Sequence, residues 1–222
     1  MKVLIIVPAY NEAENLPFLI PKIHACGWES LIINDCSTDH TEELLDQLHY
    51  NHLDMPNNVG LAGVTQIGFI YAYEHGYDAA VVVDGDGQHP PKYIRLLLDQ
   101  IEQGYDYVVG SRFVTKKKPS TMRMIGSRLL CAAIHQKTGV KVTDPTSGMR
   151  ALGKNVLADF ADNMNFIAEP DALCHVIRKG YRFREVQVDM EERTAGTSYF
   201  HNPLRPVQFM FDVLMSIWFL QW

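Results

Sequence analysis

Four short apolar runs, each giving way at once to a polar cluster, constrain this chain more than any other feature. Val3–Val7 is stopped by Pro8 and followed by Ala9-Tyr10-Asn11-Glu12. Ser30–Asn34 runs into Asp35-Cys36-Ser37-Thr38-Asp39, Ala79–Val83 into Asp84-Gly85-Asp86-Gly87-Gln88, and Tyr107–Gly110 into Ser111-Arg112. Apolar runs of this length suit strands buried on both faces of a parallel sheet. Helical stretches separate them: Asn11–Cys26, with Leu16, Leu19, Ile20 and Ile23 on one face; Thr38–Tyr50, which Asp39 or Thr41 can cap; Val64–His75; and Pro90–Gly104, with Pro91 near its first turn. A helix at Thr121–Lys137, a short strand after Gly148, a helix from about Asn155, the helix Glu169–Arg178 and a strand at Phe183–Val188 follow. The alternation predicts an α/β fold with a mostly parallel central sheet flanked by helices. At 222 residues and 47% apolar, the chain fits one such domain over residues 1–200, with residues 201–222 as an amphipathic helical extension.

In open α/β sheets, ligands sit beyond the carboxyl ends of the strands. The four polar clusters fall there, so residues distant in sequence are expected to meet at one edge. A net charge of -6 argues against nucleic acid as a partner, because phosphate-backbone binders need a basic face. Cys26, Cys36, Cys131 and Cys174 form no C-x-x-C pair, which excludes the usual zinc and thioredoxin-like patterns. Met1–Pro8 does not read as a signal peptide, so the cysteines are expected to be free thiols in a cytoplasmic protein. No stretch reaches the length of about 20 apolar residues that spans a bilayer. Val207–Trp222 reads as an amphipathic helix, suited to packing on the core, to a homo-oligomer face, or to lying on a membrane surface. The basic stretch Lys116–Arg128, with Lys117, Lys118, Arg123 and Arg128, reads either as a solvated loop or as an anion site.

The third cluster carries the most chemistry. Beyond a strand, Asp84, Asp86 and Gln88 alternate, and alternation would send them to one side. Such hard oxygen donors suit Mg²⁺ or Mn²⁺ shared with a diphosphate. An EF-hand loop is excluded, because its sixth position is His89 and its twelfth Arg95. Asp35 can accept from a nucleobase N–H or a ribose hydroxyl. Arg112 and Arg193, each framed by Gly and Ser, can offer a fork to a phosphate.

With these residues in place, the sequence resembles the family 2 glycosyltransferases of GT-A fold, and within them the polyprenyl-phosphate (dolichol-phosphate mannose synthase-like) sugar transferases. The matching segments are Val7-Pro8-Ala9-Tyr10-Asn11-Glu12, Asn34–Asp39, Asn58-Val59-Gly60, Asp84–Pro91, Gly110-Ser111-Arg112, Asp144-Pro145-Thr146-Ser147-Gly148-Met149-Arg150, and Arg193–Ser198 as R-x-x-G-x-S. The resemblance implies a metal-dependent transfer of a hexosyl or N-acetylhexosaminyl group from a UDP- or GDP-sugar. It implies that Pro8, Tyr10, Glu12 and Asp35 line the nucleotide pocket, with Asp84 near ribose and metal. Asp86 and Gln88 would hold the metal, and Arg112 and Arg193 would contact phosphates. Asp144 and Ser147 would lie near the acceptor or shape its loop. The expected catalytic residues are Asp86, Arg112, Arg193 and Asp144, and Arg123, Arg128 and Glu169 are expected, with Ser147, on the acceptor side.

Two departures matter. Asn34 and Cys36 stand where the family often has Asp and Gly, leaving the base open. In Glu169-Pro170-Asp171-Ala172-Leu173, Pro170 occupies the place of the general base found in members that glycosylate hydroxyls. A hydroxyl acceptor needs a base; an ionised phosphate does not. The expected acceptor is therefore a polyprenyl phosphate, reached from the inner face of the cell membrane. The alternative is a hydroxyl of a growing cell-surface polysaccharide or glycolipid, with Asp171, Glu169 or Asp144 as base. A nucleotidyltransferase is disfavoured because Val7–Glu12 lacks a Gly-rich basic loop, and a non-catalytic binding module because both carboxylates and both arginines are present.

Overall fold

The computed structural model of the chain describes residues 1–162, 166, 168–192 and 205–220. In chain order the elements are β1 (Val3–Ala9), α1 (Leu16–Ala25), β2 (Glu29–Asn34), α2 (Thr41–Gln47), β3 (His52–Asp54), α3 (Gly60–Glu74), β4 (Ala79–Val82), α4 (Ile94–Glu102), β5 (Tyr107–Ser111), α5 (Met122–Thr138), β6 (Arg150–Gly153), α6 (Lys154–Asp162), α7 (Glu169–Arg178), β7 (Phe183–Gln187) and α8 (Arg205–Met215). The expected α/β fold is present: a seven-stranded sheet in the order β3-β2-β1-β4-β6-β5-β7, with helices on both faces.

The apolar runs are buried on both sides because alternate residues feed two cores. Leu4, Ile6, Leu31, Ile33, Ala80, Val82, Tyr107 and Val109 meet α3, α5, α6, α7 and α8. Val3, Ile5, Val7, Ile32, Ala79, Val81 and Val108 meet α1, α2 and α4.

Three local differences from the sequence expectation bear on the site. First, α1 begins at Leu16, not at Asn11. Asn11 takes a left-handed φ of 57°, and its Oδ1 accepts the backbone N–H of Thr38 at 2.7 Å, so residues after β1 brace the β2 loop instead. Second, α3 begins at Gly60, a turn before Val64. Its cap comes from outside: the Asp35 carboxylate accepts the N–H groups of Val59 (2.7 Å) and Gly60 (2.9 Å), donors that a helix start leaves without partners. Third, β6 runs antiparallel between β4 and β5. The chain re-enters the sheet at the edge where β5 left it, so β6 can only run downward. Its first residue, Arg150, therefore lies opposite Val82 at the functional edge.

Helix α8 continues as a π-helical turn over Ser216–Leu220. Val213, Ser216 and Ile217 are buried against the core, and the Ser216 hydroxyl donates to Asp171 Oδ2 at 2.7 Å. Phe211, Met215 and Phe219 face outward, as do Met122, Ile125 and Leu129 of the neighbouring α5. Among the described residues no helix is long and apolar enough to cross a membrane.

Candidate active site

The loops after β1 and β2 form one stitched wall. Asn11 N–H donates to Ser37 Oγ (2.9 Å), Glu12 N–H to Thr41 Oγ1 (3.0 Å), and Asn15 Nδ2 to Glu12 Oε2 (2.6 Å). Asp39 Oδ1 accepts both the backbone and hydroxyl hydrogens of Thr41, which makes Asp39 a brace at the start of α2. Asn34 fills the place of the family's usual Asp by donating to Asp54 Oδ1 (2.7 Å) and accepting the Ser37 hydroxyl (2.5 Å). Cys36 holds a left-handed φ of 57°, a conformation glycine would adopt without steric conflict. Glu12 and Asp35 are buried in this wall beside Pro8, whereas Tyr10 is 47% exposed and stands clear as a face for a flat ring.

Beyond β4 the chain does not stay extended. Asp84–Gln88 folds as a turn, and Asp86 Oδ1 accepts the N–H of Gln88 at 3.0 Å. The strand-like alternation expected of Asp84, Asp86 and Gln88 is therefore absent; the turn, not a pleat, arranges them. Gly85 permits it, since a Cβ there would lie 2.8 Å from the Pro8 carbonyl oxygen. Gly148 backs the same turn, because a Cβ on it would lie 2.6 Å from Asp84 Oδ2. His89 Nδ1 accepts the Asp84 N–H at 3.0 Å, which leaves the proton on Nε2, 3.6 Å from Asp84 Oδ2. Asp84 Oδ1 is buried and accepts no hydrogen bond among the described residues. Among those residues no three His, Cys, Asp or Glu side chains converge. A divalent cation would thus rest on Asp84, Asp86, the Gln88 amide oxygen and oxygens of its ligand. An orphaned carboxylate oxygen in a set of hard donors fits Mg²⁺ or Mn²⁺.

The other half of the edge is organised by ion pairs. Asp144 is fully buried and takes Arg112 as a fork, Nε at 2.7 Å and Nη2 at 2.8 Å, plus the Arg112 N–H at 3.1 Å. That commits two of the three guanidinium nitrogens of Arg112, and Nη1 makes no hydrogen bond among the described residues. Glu185 holds the Asp144 loop by accepting the N–H groups of Thr143 and Asp144, and its burial raises its pKa against those bonds. Ser147 turns inward and donates to the Gly110 carbonyl at 2.5 Å, so it shapes the loop.

The basic stretch divides. Lys116 pairs with Asp189, Lys118 bonds Ser127 and Cys131, and Arg128 folds back on the Lys118 and Pro119 carbonyls. Lys117 and Arg123 make no ion pair or hydrogen bond among the described residues. Arg123 lies close to the Arg112–Asp144 pair: desolvation and then the like charge of Arg112 lower its pKa, against Asp144. Arg193 lies outside the described residues.

Arg150 was quoted in the sequence motif and given no role. Its side chain is 5% exposed, and its Nη1 lies 3.0 Å from Glu169 Oε1. Burial works against its charge, but Tyr107, Glu169 and Asp84 together hold its pKa above the ordinary value. A lone Arg closing a small-residue motif carries no signal in sequence; the β6 register, which a parallel-sheet expectation does not supply, places it. Asp171 is fully buried, its Oδ1 accepting the N–H groups of Ala168 and Ala172 and its Oδ2 the Ser216 hydroxyl.

The glycosyl transferase family 2 model matches residues 4–160, which include the stitched β1–β2 wall, the Asp84–Gln88 turn and the Arg112–Asp144 pair. The chain belongs to glycosyl transferase family 2. Among family 2 relatives, the polyprenol monophosphomannose synthase of Mycolicibacterium smegmatis is 31% identical over 89% of this chain and 80% of its own length. The undecaprenyl-phosphate mannosyltransferase of Micrococcus luteus is 31% identical over 89% of this chain and 87% of its own. An undecaprenyl-phosphate 4-deoxy-4-formamido-L-arabinose transferase of Pectobacterium carotovorum is 27% identical over 97% of this chain and 67% of its own. The family 2 fold is also that of glucosyl-3-phosphoglycerate synthase from Mycobacterium tuberculosis, solved with Mn²⁺, uridine diphosphate and phosphoglyceric acid. That structure has a TM-score of 0.73 at 16% identity and covers 99% of this chain and 78% of that one.

Proposed function

We propose that this family 2 enzyme moves a sugar, with inversion, from a UDP- or GDP-sugar to the phosphate of a polyprenyl phosphate. The observation that carries the acceptor is the state of the three candidate bases. Asp144 is locked to Arg112, Asp171 to two backbone N–H groups and Ser216, and Glu169 to Arg150. A hydroxyl acceptor would need one of them free to take its proton. An ionised phosphate needs none, and two of the relatives are named undecaprenyl-phosphate sugar transferases and a third a polyprenol monophosphomannose synthase.

In this reading Pro8, Tyr10, Glu12 and Asp35 line the nucleoside pocket, and Asp84, Asp86 and Gln88 hold a divalent cation at the diphosphate. That cation neutralises charge on the leaving group when bound. Arg112 Nη1 and Arg193 contact phosphates, and Arg123 draws the acceptor phosphate toward the anomeric carbon. One acceptor phosphate oxygen forms the new bond to that carbon from the face opposite the leaving group. The bond to the β-phosphate oxygen breaks, and the nucleoside diphosphate leaves with the electron pair. The outward apolar residues of α5 and α8, with Lys117 and Arg123 close by in sequence to the α5 set, support docking on an anionic membrane surface at its cytoplasmic face.

The test is release of nucleoside diphosphate from a panel of nucleotide sugars with Mn²⁺ or Mg²⁺, with and without undecaprenyl phosphate in detergent. Lipid-dependent release is expected. Release that depends instead on a saccharide acceptor would overturn the acceptor assignment.

A further inference from the structure

Arg150 presents an unusual balance. It is a guanidinium closed off from water at the edge of the sheet, in an apolar setting. A cavity of about 10 Å³ beside it, the room of one water, is lined by Phe69, Phe160, Phe166 and Thr65 as well as by Arg150 and Glu169. A charge in such a place is retained only with opposite charge close by. Two carboxylates act on it, Glu169 and Asp84. Among the described residues only Glu169 is in ion-pair contact with it, at 3.0 Å. Arg150 Nε and Nη1 make no well-directed hydrogen bond among the described residues, and neither does the buried Asp84 Oδ1. Orphaned donors and an orphaned acceptor thus share one corner of the site without bonding each other.

Their placement explains how this can hold. Arg150 is opposite Val82 in the β4–β6 ladder, and residues directly opposite share a face of the sheet. Asp84 follows two residues after Val82. Gly148 packs behind Asp84 and closes its other side. Glu169 comes from α7, whose first turn is fixed by Asp171 taking the Ala168 N–H and the Ser216 hydroxyl. The anchor of Arg150 is therefore itself anchored in the core.

We infer that Glu169 is a positioning residue for the donor centre: by occupying Arg150 it keeps that guanidinium from pairing with Asp84, so that the Asp84 carboxylate remains open to a divalent cation. This rests on the reading of Asp84 as a cation ligand given above. In place of a base or an acceptor contact, Glu169 becomes the counter-ion that prevents an internal cation from taking the metal's place. If Glu169 lost its charge, Asp84 would remain as a carboxylate that acts on Arg150, and Arg150 would compete with the metal for it.

The test is Mn²⁺ affinity by electron paramagnetic resonance of free Mn²⁺, in the presence of UDP or GDP, on the full chain. Melting curves show that each variant is folded. Glu169→Gln is expected to raise the Mn²⁺ dissociation constant about 10-fold or more, the effect of one charge pair of about 1.4 kcal/mol or more. The double variant Glu169→Gln with Arg150→Gln removes the competitor along with its guard and strands no buried charge. It is expected to recover most of the lost affinity. Should Glu169→Gln not fold, Glu169→Asp keeps the charge one methylene shorter and is expected to lose affinity by a smaller factor. Unchanged Mn²⁺ affinity in Glu169→Gln, or a double variant as weak as the single one, would overturn the inference. Wild-type protein that binds no Mn²⁺ with either nucleotide would overturn the metal reading itself, and that failure appears before any variant is made.

Discussion

The two halves of the functional edge differ in whether guanidinium groups help to hold their carboxylates. On the β1–β2 side, Asp35, Asp39 and Glu12 accept from backbone N–H groups, a hydroxyl and an amide, with no guanidinium among those partners. On the β5–β6 side, Glu185 and Asp171 also accept backbone N–H groups, but Asp144 and Glu169 are held by guanidinium groups. In the proposed reading, the difference matches the two kinds of ligand. A nucleoside is neutral and is recognised by fixed hydrogen-bonding geometry, which a stitched backbone supplies. A phosphate is anionic and is drawn by positive charge, which the second half carries in Arg112 and Arg123.

The comparison can be broken most forcefully at the seam between the halves. Asp86→Ala is expected to lower turnover by at least about 100-fold while leaving the melting temperature close to wild type, because it removes a proposed cation ligand from a half-buried turn outside the two cores. Normal turnover would remove the metal from the reading. Next comes Asp35→Ala. Two charge-assisted bonds to the first N–H groups of α3 disappear, and urea unfolding should show a loss of about 1.5–3 kcal/mol with weaker donor binding. A stable variant with normal donor affinity would show that the nucleoside half is not pre-organised in this way.

Arg123→Gln should separate the halves kinetically. The KM for lipid phosphate is expected to rise about 10-fold, with the donor KM unmoved, since one charged contact of about 1.4 kcal/mol is lost. An equal change in both constants would mean that Arg123 serves the donor.

The smallest effect is a control away from the edge. Asp159 bonds His175 at 3.0 Å and also Lys179. Burial tends to raise its pKa, but the hydrogen bonds from Lys179 and His175 outweigh it, and the folded pKa lies below the ordinary value. A depressed carboxylate adds stability above its unfolded pKa, and that stability is lost as pH falls through the folded pKa. Asp159→Asn should therefore be less stable than wild type by about 1 kcal/mol at neutral pH. The gap should close below the carboxylate range. A gap that stays constant with pH would assign the effect to packing.

Much of this was legible from residues alone. The strands were readable because runs such as Val3–Val7 and Ala79–Val83 must be buried on both faces, and only a covered sheet does that. The positions of Asp35, Asp84 and Arg112 at one edge followed from parallel topology. Their neighbours did not. The start of α3 depends on a carboxylate from another loop, and no local propensity at Asn58-Val59-Gly60 announces it. The Asp84–Gln88 turn replaced an expected extension because Gly85 can approach the Pro8 carbonyl closely.

What the sequence by itself determined, then, is the layered fold, the edge where polar clusters gather, and the residue types available there, since these follow from local pattern and chain connectivity. Only the tertiary structure decided which carboxylates are committed and which are open. It set β6 antiparallel and so brought Arg150 beside Glu169 and Asp84; it locked Asp144 to Arg112 and Asp171 to Ser216. The physical reason is that the strength of a buried ion pair or hydrogen bond depends on distance and desolvation, and both are set by residues far away in the chain.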